Sequence, residues 1–291
     1  MIIDCHVHVA SPFTGFWRPL RYGKTEDQGE VRQALPPSFE PVASPPEILL
    51  GYMDQAGVDR AVMVQHHLYG DQNGTVIDAV QRWPDRLVGF AYLGAMDQPD
   101  AVDTLERLVE AGLAGLKIEL GMTRRLRADF RFDGEREWRI WERLDALRRP
   151  LIVDLNAGTP QDTAALRQVI AEFAHLRLSI CHLGGAPRPG WEEVALLARD
   201  PRVYVDIASL QSAYGPDQEY PFLQSQQLLR WAVDNLGARK VMWGTDYPGA
   251  LNWATYRQLL DVLRRHCEFL SHEQKQEILG GTVERFLRGE G

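Results

Sequence analysis

The chain has 291 residues, of which 45% are hydrophobic and 25% are charged, a balance typical of globular proteins that bury a large core. Its formal net charge is -8 and it has no long run of lysine and arginine, which argues against nucleic acid or an anionic membrane surface as a partner. No stretch is long and apolar enough to span a membrane, and the sequence opens without the basic and apolar run of a signal peptide, so we expect a cytoplasmic protein.

Eight apolar segments bounded by turn residues are typical of β-strands. In chain order they are residues 2–9, 61–65, 87–93, 115–120, 151–155, 178–182, 203–207 and 241–244. Amphipathic helical patterns separate most of them, most clearly at 101–111, 135–147, 162–173 and 221–236. This alternation predicts an α/β fold, a closed (β/α)8 TIM barrel in a single domain over 1–291. An open doubly wound sheet is disfavoured, because no GxGxxG motif follows the first strand.

Two connections are longer than a barrel requires. Residues 11–46 follow the first strand and contain several prolines and glycines, which predicts a long irregular loop. In a barrel this loop lies on the catalytic face, where it could close over a substrate, and an ordinary packed surface excursion is the alternative. Residues 211–220 after the seventh strand are a second candidate lid.

The first strand carries two candidate metal ligands, His6 and His8. Because side chains alternate along a strand, we expect residues 4, 6 and 8 on one face, with Cys5 pointing the other way. Cys181, just before a histidine of the sixth strand, should point away from it for the same reason. Two histidines at i and i+2 near the carboxyl end of a barrel strand suit a shared divalent metal.

Two other strands end in candidate catalytic residues. His182 ends the sixth strand and is followed by two glycines, which let the backbone turn sharply beside a ligand. Asp246 ends the eighth strand, which adjoins the first in a closed barrel, so it should approach His6 and His8. A carboxylate that touches a metal and its water can act as ligand and general base, whereas capping of the next helix is the structural alternative.

The motifs DxHxH, HLGG and GTDYP at these three strands resemble the amidohydrolase-2 branch of the amidohydrolase superfamily, which includes metal-dependent decarboxylases, hydratases and sugar lactonases. VDRAV at 58–62, WPDR at 83–86 and GLKI at 115–118 extend the resemblance over almost the whole chain. The resemblance implies a TIM-barrel metal-dependent hydrolase in which His6, His8 and Asp246 bind the metal. It also implies that His182 lies near the metal as a proton donor or acceptor.

The fifth strand departs from that pattern. Decarboxylase-like members of the family carry a histidine there, where this chain has Asp154, and Asn156 would point the same way. We expect zinc, and because Asp154 can replace the imidazole as an oxygen ligand and make the site harder, manganese or magnesium would also be tolerated. The other interpretation is a weak or absent metal, since the sequence around Asp154 and His182 also resembles sugar lactonases, some of which work without one.

Four further residues are candidates for substrate binding. Lys117 and Glu119 share one face of the fourth strand, where charged groups are costly unless they are paired or functional. An internal ion pair is the structural alternative, and Glu119 could also be an additional metal ligand. Arg124 belongs to a basic cluster after the fourth strand and suits a substrate carboxylate. Gln65 ends the second strand on the same side as His67 and could hydrogen-bond a substrate.

The leading hypothesis is a hydrolase that uses an activated water on a small lactone or carboxylate-bearing substrate. The alternatives are a non-oxidative decarboxylase of an aromatic or unsaturated acid, weakened by the missing fifth-strand histidine, and a metal-independent sugar lactonase. A catalytically idle scaffold is disfavoured, because titratable groups gather at four strand ends. We expect a small-molecule substrate as partner and leave a homo-oligomer open.

Overall fold

A computed structural model of the chain describes residues 1–155 and 158–289. It contains strands at all eight predicted positions, together with three short strands between the first and the second. In chain order the strands are β1 (Ile3–Val7), β2 (Arg18–Pro19), β3 (Lys24–Asp27), β4 (Glu30–Gln33), β5 (Arg60–Met63), β6 (Leu87–Gly89), β7 (Leu116–Glu119), β8 (Leu151–Asp154), β9 (Leu178–Ile180), β10 (Val203–Asp206) and β11 (Val241–Met242).

Eight of these strands close into a barrel. Strands β1, β5 and β6 pair in parallel, and β7 to β11 form a second parallel run. Two bridges join the runs: Ala91, just after β6, pairs with Leu116 of β7, and Val7 of β1 pairs with Tyr247, just after β11. The His8 amide donates to the Tyr247 carbonyl at 2.7 Å and reinforces the second bridge. The predicted (β/α)8 barrel is therefore confirmed, and the carboxyl ends of its strands share one face.

Helices follow most of the strands and pack around the barrel. They are α1 (Pro46–Ala56), α2 (Asn73–Arg82), α3 (Ala101–Glu110), α4 (Leu120–Leu126), α5 (Glu135–Ala146), α6 (Pro160–Glu172), α7 (His182–Gly185), α8 (Trp191–Ala195), α9 (Leu223–Leu236), α10 (Tyr256–Asp261), α11 (His272–Gln276) and α12 (Thr282–Arg288). The four predicted helices correspond to α3, α5, α6 and α9. Over the described ranges, no helix has both the length and the hydropathy needed to cross a bilayer.

Apolar side chains fill the amino-terminal part of the barrel. This inner cluster takes residues from several strands, including Ile3, Val62, Ile152 and Tyr204, and α12 closes it with Phe286. A larger cluster lies between the strands and the surrounding helices. Because the lower interior is apolar and packed, polar side chains that point into the barrel gather toward its carboxyl end.

Strand β1 contains a bulge. Asp4 pairs with Ala61 and Val7 pairs with Met63, so three steps along β1 match two steps along β5. One extra residue in a strand interrupts the alternation of side chains between its two faces. Alternation alone therefore does not predict the face to which each side chain between positions 4 and 7 points.

Two side chains near the bulge point in directions other than those predicted. Cys5 belongs to the inner cluster, although it was expected to point away from the site. Asp4 instead bonds outside the barrel, where it accepts hydrogen bonds from the Thr245 hydroxyl at 2.6 Å and from the Tyr256 hydroxyl of α10 at 2.8 Å. The expectation that Asp4 and His6 share a face is therefore wrong.

The segment 11–46 is more regular than the sequence suggested. Strands β2, β3 and β4 form an antiparallel sheet, and Gln28 and Gly29 join β3 to β4 with φ of 52° and 85°. Two consecutive positive φ angles are typical of the tight turns that match strand twist in hairpins. The prediction of an irregular loop was wrong here for two reasons. Gln-Gly is not one of the dipeptides that usually signal a hairpin turn, and β4, whose residues are all exposed, lacks the apolar alternation of a typical strand.

This antiparallel sheet lies over the carboxyl end of the barrel. The Phe16 amide donates to the carbonyl of His67, beyond β5, at 3.1 Å. Arg125 of α4 binds Asp27 of β3 through two hydrogen bonds of 2.7 Å, and its guanidinium stacks on Phe16 at 4.0 Å. The sheet is thus fastened at two places beside the predicted site.

Candidate active site

Four side chains from distant parts of the sequence meet at the carboxyl end of the barrel. The ring of His6 lies 5.1 Å from the ring of His8 and 4.8 Å from that of His182, measured between centroids. Asp246 Oδ1 lies 3.0 Å from His8 Nε2 and 3.8 Å from His6 Nε2. The barrel therefore brings both ends of the chain and its middle into one cluster.

The tautomers of His6 and His8 follow from their neighbours. His6 Nδ1 lies 3.1 Å from Asp206 Oδ2, and His8 Nδ1 lies 2.9 Å from the Val64 carbonyl oxygen. An ionised carboxylate and a carbonyl can only accept, so each Nδ1 carries a proton and each neutral ring keeps its lone pair on Nε2. His6 Nε2 is buried and has no hydrogen-bond partner among the described residues.

The contact between His8 and Asp246 requires a positive charge. With His8 neutral, the Nε2 lone pair would face a carboxylate oxygen at 3.0 Å. Either a second proton on His8 or a cation can satisfy both atoms, and burial lowers the pKa of His8 to about 4 despite the raising effect of Asp246. The ligand atoms of His6, His8 and Asp246 all lie within 4.8 Å of one another. These residues therefore fit a divalent metal ion.

Asp246 is held as an ionised carboxylate. Its backbone has a φ of 65°, its amide donates to the His6 carbonyl at 2.9 Å, and the Ser209 hydroxyl donates to Oδ2. Burial alone would raise the pKa of Asp246, but protonated imidazoles beside it, His8 through a hydrogen bond and charge and His182 and His6 through charge, hold it well below the ordinary value. An ionised carboxylate in this position suits a metal ligand or a general base.

His182 is the cationic member of the cluster. Its Nδ1 donates to the Ala208 carbonyl at 3.0 Å, and its Nε2 faces Asp154 Oδ2 at 3.6 Å. Burial would lower the pKa of His182, but the charges of Asp154, Asp206 and Asp246 outweigh it and raise the pKa to about 8. Near neutral pH, His182 therefore has a proton to donate from Nε2.

Backbone geometry explains how His182 reaches the barrel interior. Cys181 belongs to the inner cluster, so the expectation that it points away from the site is wrong. Alternation would then turn the next residue outward, but His182 and Leu183 have φ of 55° and 50°. This left-handed turn brings the imidazole back over the barrel.

A cavity of about 270 Å³ adjoins His182 and opens at the carboxyl face. Ser212 and Ala213 of the second candidate lid contribute to its wall. Its polar lining comprises His66, Glu119, Asp154, His182, Arg188, Ser209 and Ser212, and no phenylalanine, tyrosine or tryptophan is among the described lining residues.

The family model described as Amidohydrolase matches residues 3–289. The chain belongs to the amidohydrolase family, in its amidohydrolase-2 branch. The prediction of the family and of an enzyme of this type is therefore confirmed.

Relatives of this amidohydrolase span its full length. An L-fucono-1,5-lactonase from Burkholderia ambifaria is 24% identical over 301 residues, which cover 98% of this chain and 95% of the relative. A crystal structure of an amidohydrolase from Burkholderia multivorans with bound zinc has a TM-score of 0.71, 20% identity and 99% coverage of both chains. A probable 2-pyrone-4,6-dicarboxylic acid hydrolase from Acinetobacter baumannii with bound citric acid has a TM-score of 0.73, 18% identity and the same coverage. The structural likenesses show a common fold.

The fifth-strand aspartate of this amidohydrolase has a different neighbour from the one expected. Asp154 lies beside His182, and its Oδ1 is buried without a hydrogen-bond partner among the described residues. It does not belong to the group of ligand atoms formed by His6, His8 and Asp246. The geometry therefore connects Asp154 with the proton on His182, and a fourth-ligand role for Asp154 stays a prediction. Asn156 lies outside the described residues.

Lys117 and Glu119 both lie on β7, and Glu119 lines the cavity. Both are buried, and Glu119 Oε2 lies 3.0 Å from His66 Nε2. The Lys117 ammonium has no hydrogen-bond partner in the described part of the chain. Burial would lower the pKa of Lys117, but Glu119 and Asp154 raise it above the ordinary value. Lys117 is thus a buried, charged donor close to Glu119 and Asp154.

Gln65 and Arg124 are engaged within the protein. The Gln65 amide donates to Asn73 Oδ1 and to the Phe90 carbonyl, both at 2.8 Å. Arg124 binds both carboxylate oxygens of Asp162 in the first turn of α6, at 3.0 and 2.5 Å. Neither residue is among the described cavity residues, and a role for either in substrate binding stays a prediction.

The sequence reasoning missed two residues of the site. Asp206 ends β10 in the same way that Asp154 ends β8, with a carboxylate after an apolar run, and that shared pattern could have identified it. His66 lines the cavity, although the expected alternation selected Gln65 and His67. Strand β5 ends at Met63, so alternation no longer applies three residues later.

Proposed function

We propose that this amidohydrolase is a metal-dependent hydrolase of small, hydroxyl-rich lactones. The observation that carries the proposal is the meeting of three acceptor atoms, Nε2 of His6, Nε2 of His8 and Oδ1 of Asp246, where both histidines are buried and Asp246 is partly exposed. Similarity to an L-fucono-1,5-lactonase along nearly the whole chain supports the lactone substrate.

His6, His8 and Asp246 would hold the ion, and two imidazoles with one carboxylate are a donor set that zinc prefers. The zinc bound to an amidohydrolase of the same fold supports this choice. When bound, a divalent ion polarises a carbonyl oxygen and makes a water molecule more acidic.

Asp246 and His182 divide the proton transfers. Asp246 accepts a proton from the water that attacks the lactone carbonyl, and the Ser209 hydroxyl fixes the orientation of its carboxylate. The His182 Nε2–H donates its proton to the ring oxygen as the acyl carbon–oxygen bond breaks. The proton on Asp246 then restores His182, so the products are a free hydroxyl group and a carboxylic acid.

The lining of the cavity favours a sugar lactone over an aromatic acid. Glu119 and Asp154 accept hydrogen bonds, and the hydroxyl oxygens of Ser209 and Ser212 can also accept them, because their hydrogens are donated to Asp246 and to the Ser209 carbonyl. A hydroxyl-rich substrate satisfies such groups, whereas a flat apolar ring would leave them unpaired at a substantial cost.

A substrate panel tests the proposed reaction. We expect purified enzyme loaded with zinc or manganese to open sugar 1,4- or 1,5-lactones, followed as acid release at constant pH, with Asp246→Asn protein as the control for spontaneous hydrolysis. Aromatic hydroxy acids should release no carbon dioxide under the same conditions. Carbon dioxide release without lactone opening would contradict the proposal and favour a decarboxylase.

The pH dependence of turnover tests the role of His182. Because the donor is the protonated ring, kcat/KM should fall as the pH rises through about 8, the raised pKa of His182. Asp154→Asn removes the carboxylate charge that stabilises the cation, so the alkaline limb should move to lower pH by about one unit. A limb that stays in place in this variant would remove Asp154 from the mechanism.

A further inference from the structure

We infer that Asp206 is a positioning residue that governs two histidines of the site at once, by setting the tautomer of His6 and by holding the backbone of His182. Asp206 ends β10 and is 1% exposed. It lies outside the ligand group of His6, His8 and Asp246. The consequence for metal affinity rests on the proposed function, whereas the consequence for the tautomer does not.

The two carboxylate oxygens of Asp206 have separate partners. Oδ2 lies 3.1 Å from His6 Nδ1. Oδ1 accepts the backbone N–H of His182 at 2.8 Å and that of Ala208 at 3.1 Å. One side chain thus connects β1, the turn after β9 and the turn after β10.

The contact with His6 decides where that ring keeps its lone pair. A carboxylate offers no donor, so it selects the tautomer with the proton on Nδ1 and leaves the Nε2 lone pair toward Asp246. The other tautomer would direct an N–H into the site, and an N–H cannot bind a metal. A partner that fixes the tautomer of a metal-binding histidine also raises its basicity.

The contact with His182 stabilises an unusual backbone conformation. A φ of 55° is disfavoured for residues other than glycine. The amide of that turn is paired with Asp206 Oδ1 and not with a strand partner. The same carboxylate therefore orients the proposed proton donor.

Asp206, His6 and Cys181 also bring potential ligand atoms within 4.8 Å of one another. His6 Nδ1 already donates to Asp206 Oδ2 at 3.1 Å, so no lone pair on this nitrogen is directed at an ion. A positioning role accounts for this group better than a second metal site.

Asp206→Asn separates the two functions of the carboxylate while it keeps the shape of the side chain. The amide oxygen can still accept the N–H groups of His182 and Ala208, which fixes the amide orientation. The amide nitrogen then faces His6 Nδ1 and donates to it, which forces the ring proton onto Nε2. We expect nitrogen NMR of the metal-free variant to show this change of tautomer at His6, and zinc affinity from chelator competition to fall about 10- to 100-fold.

Asp4→Asn is the matched control, because Asp4 is also buried and lies on the same strand as His6, where it accepts the His6 backbone amide at 3.2 Å but contacts no imidazole ring. It should change stability and leave the His6 tautomer unchanged. A wild-type His6 that carries its proton on Nε2 would overturn the inference without any variant, as would equal tautomer changes in both variants. A tautomer change at His6 in a protein that binds no zinc would support the inference and contradict the proposed metal dependence.

Discussion

Asp246→Asn should abolish lactone turnover and leave the barrel folded. The variant loses the negative charge of a ligand and the proton acceptor for the attacking water in one step, so kcat/KM should fall by about 10³-fold or more. The expected loss is larger than for any residue that acts through another, because Asp246 touches both proposed ligand histidines.

We also expect a specific change in the melting temperature of this variant. The amide nitrogen of an asparagine can donate to the His8 Nε2 lone pair, which faces a carboxylate oxygen at 3.0 Å in the wild type. Metal-free Asp246→Asn protein should therefore melt at the same temperature as metal-free wild type or higher, while added zinc should stabilise only the wild type.

Ser209→Ala is the graded control. It removes the hydrogen bond to Asp246 Oδ2 but keeps the carboxylate, so activity should fall by only about 10-fold. Turnover by Asp246→Asn within tenfold of wild type would exclude Asp246 as the base.

The barrel could be predicted from the sequence because the patterns that specify its strands and helices are local. Each strand is a short apolar run that ends in a turn, and each clear amphipathic pattern became a helix within a few residues of its predicted bounds. The strand order follows from that alternation, since parallel neighbours must be connected by crossovers. His6, His182 and Asp246 were found because a polar residue at the carboxyl end of an apolar strand has few structural reasons to be there.

The features that the sequence did not reveal depend on pairing between distant segments. The bulge in β1 exists only in its register with β5, and near it Cys5 and His6 both point into the barrel, against simple alternation. The left-handed turn at His182 depends on an acceptor, Asp206, that lies 24 residues away. The proposed role of Asp206 in turn depends on its contact with His6, 200 residues earlier. Periodicity within one strand carries no information about such contacts.

Removal of the metal should eliminate activity and lower stability together. Without a cation, the Asp246 carboxylate and the Nε2 lone pairs of His6 and His8 face one another in a buried site. A divalent ion relieves that repulsion, so zinc at about 100 times its dissociation constant should add about 2.7 kcal/mol to the free energy of unfolding. Elemental analysis should find about one equivalent of metal in active protein.

The need of the metal for neutral imidazoles also determines how activity should change at low pH. Lowering the pH protonates the histidines, and an imidazolium has no lone pair for the ion, so metal and activity should be lost together on the acid side. Turnover should disappear after chelation and return when zinc or manganese is added back, whereas Asp246→Asn should respond to neither treatment. Full activity in protein shown by elemental analysis to be metal-free would refute metal dependence, and it would leave a metal-independent lactonase in which Asp246 and His182 alone activate the water.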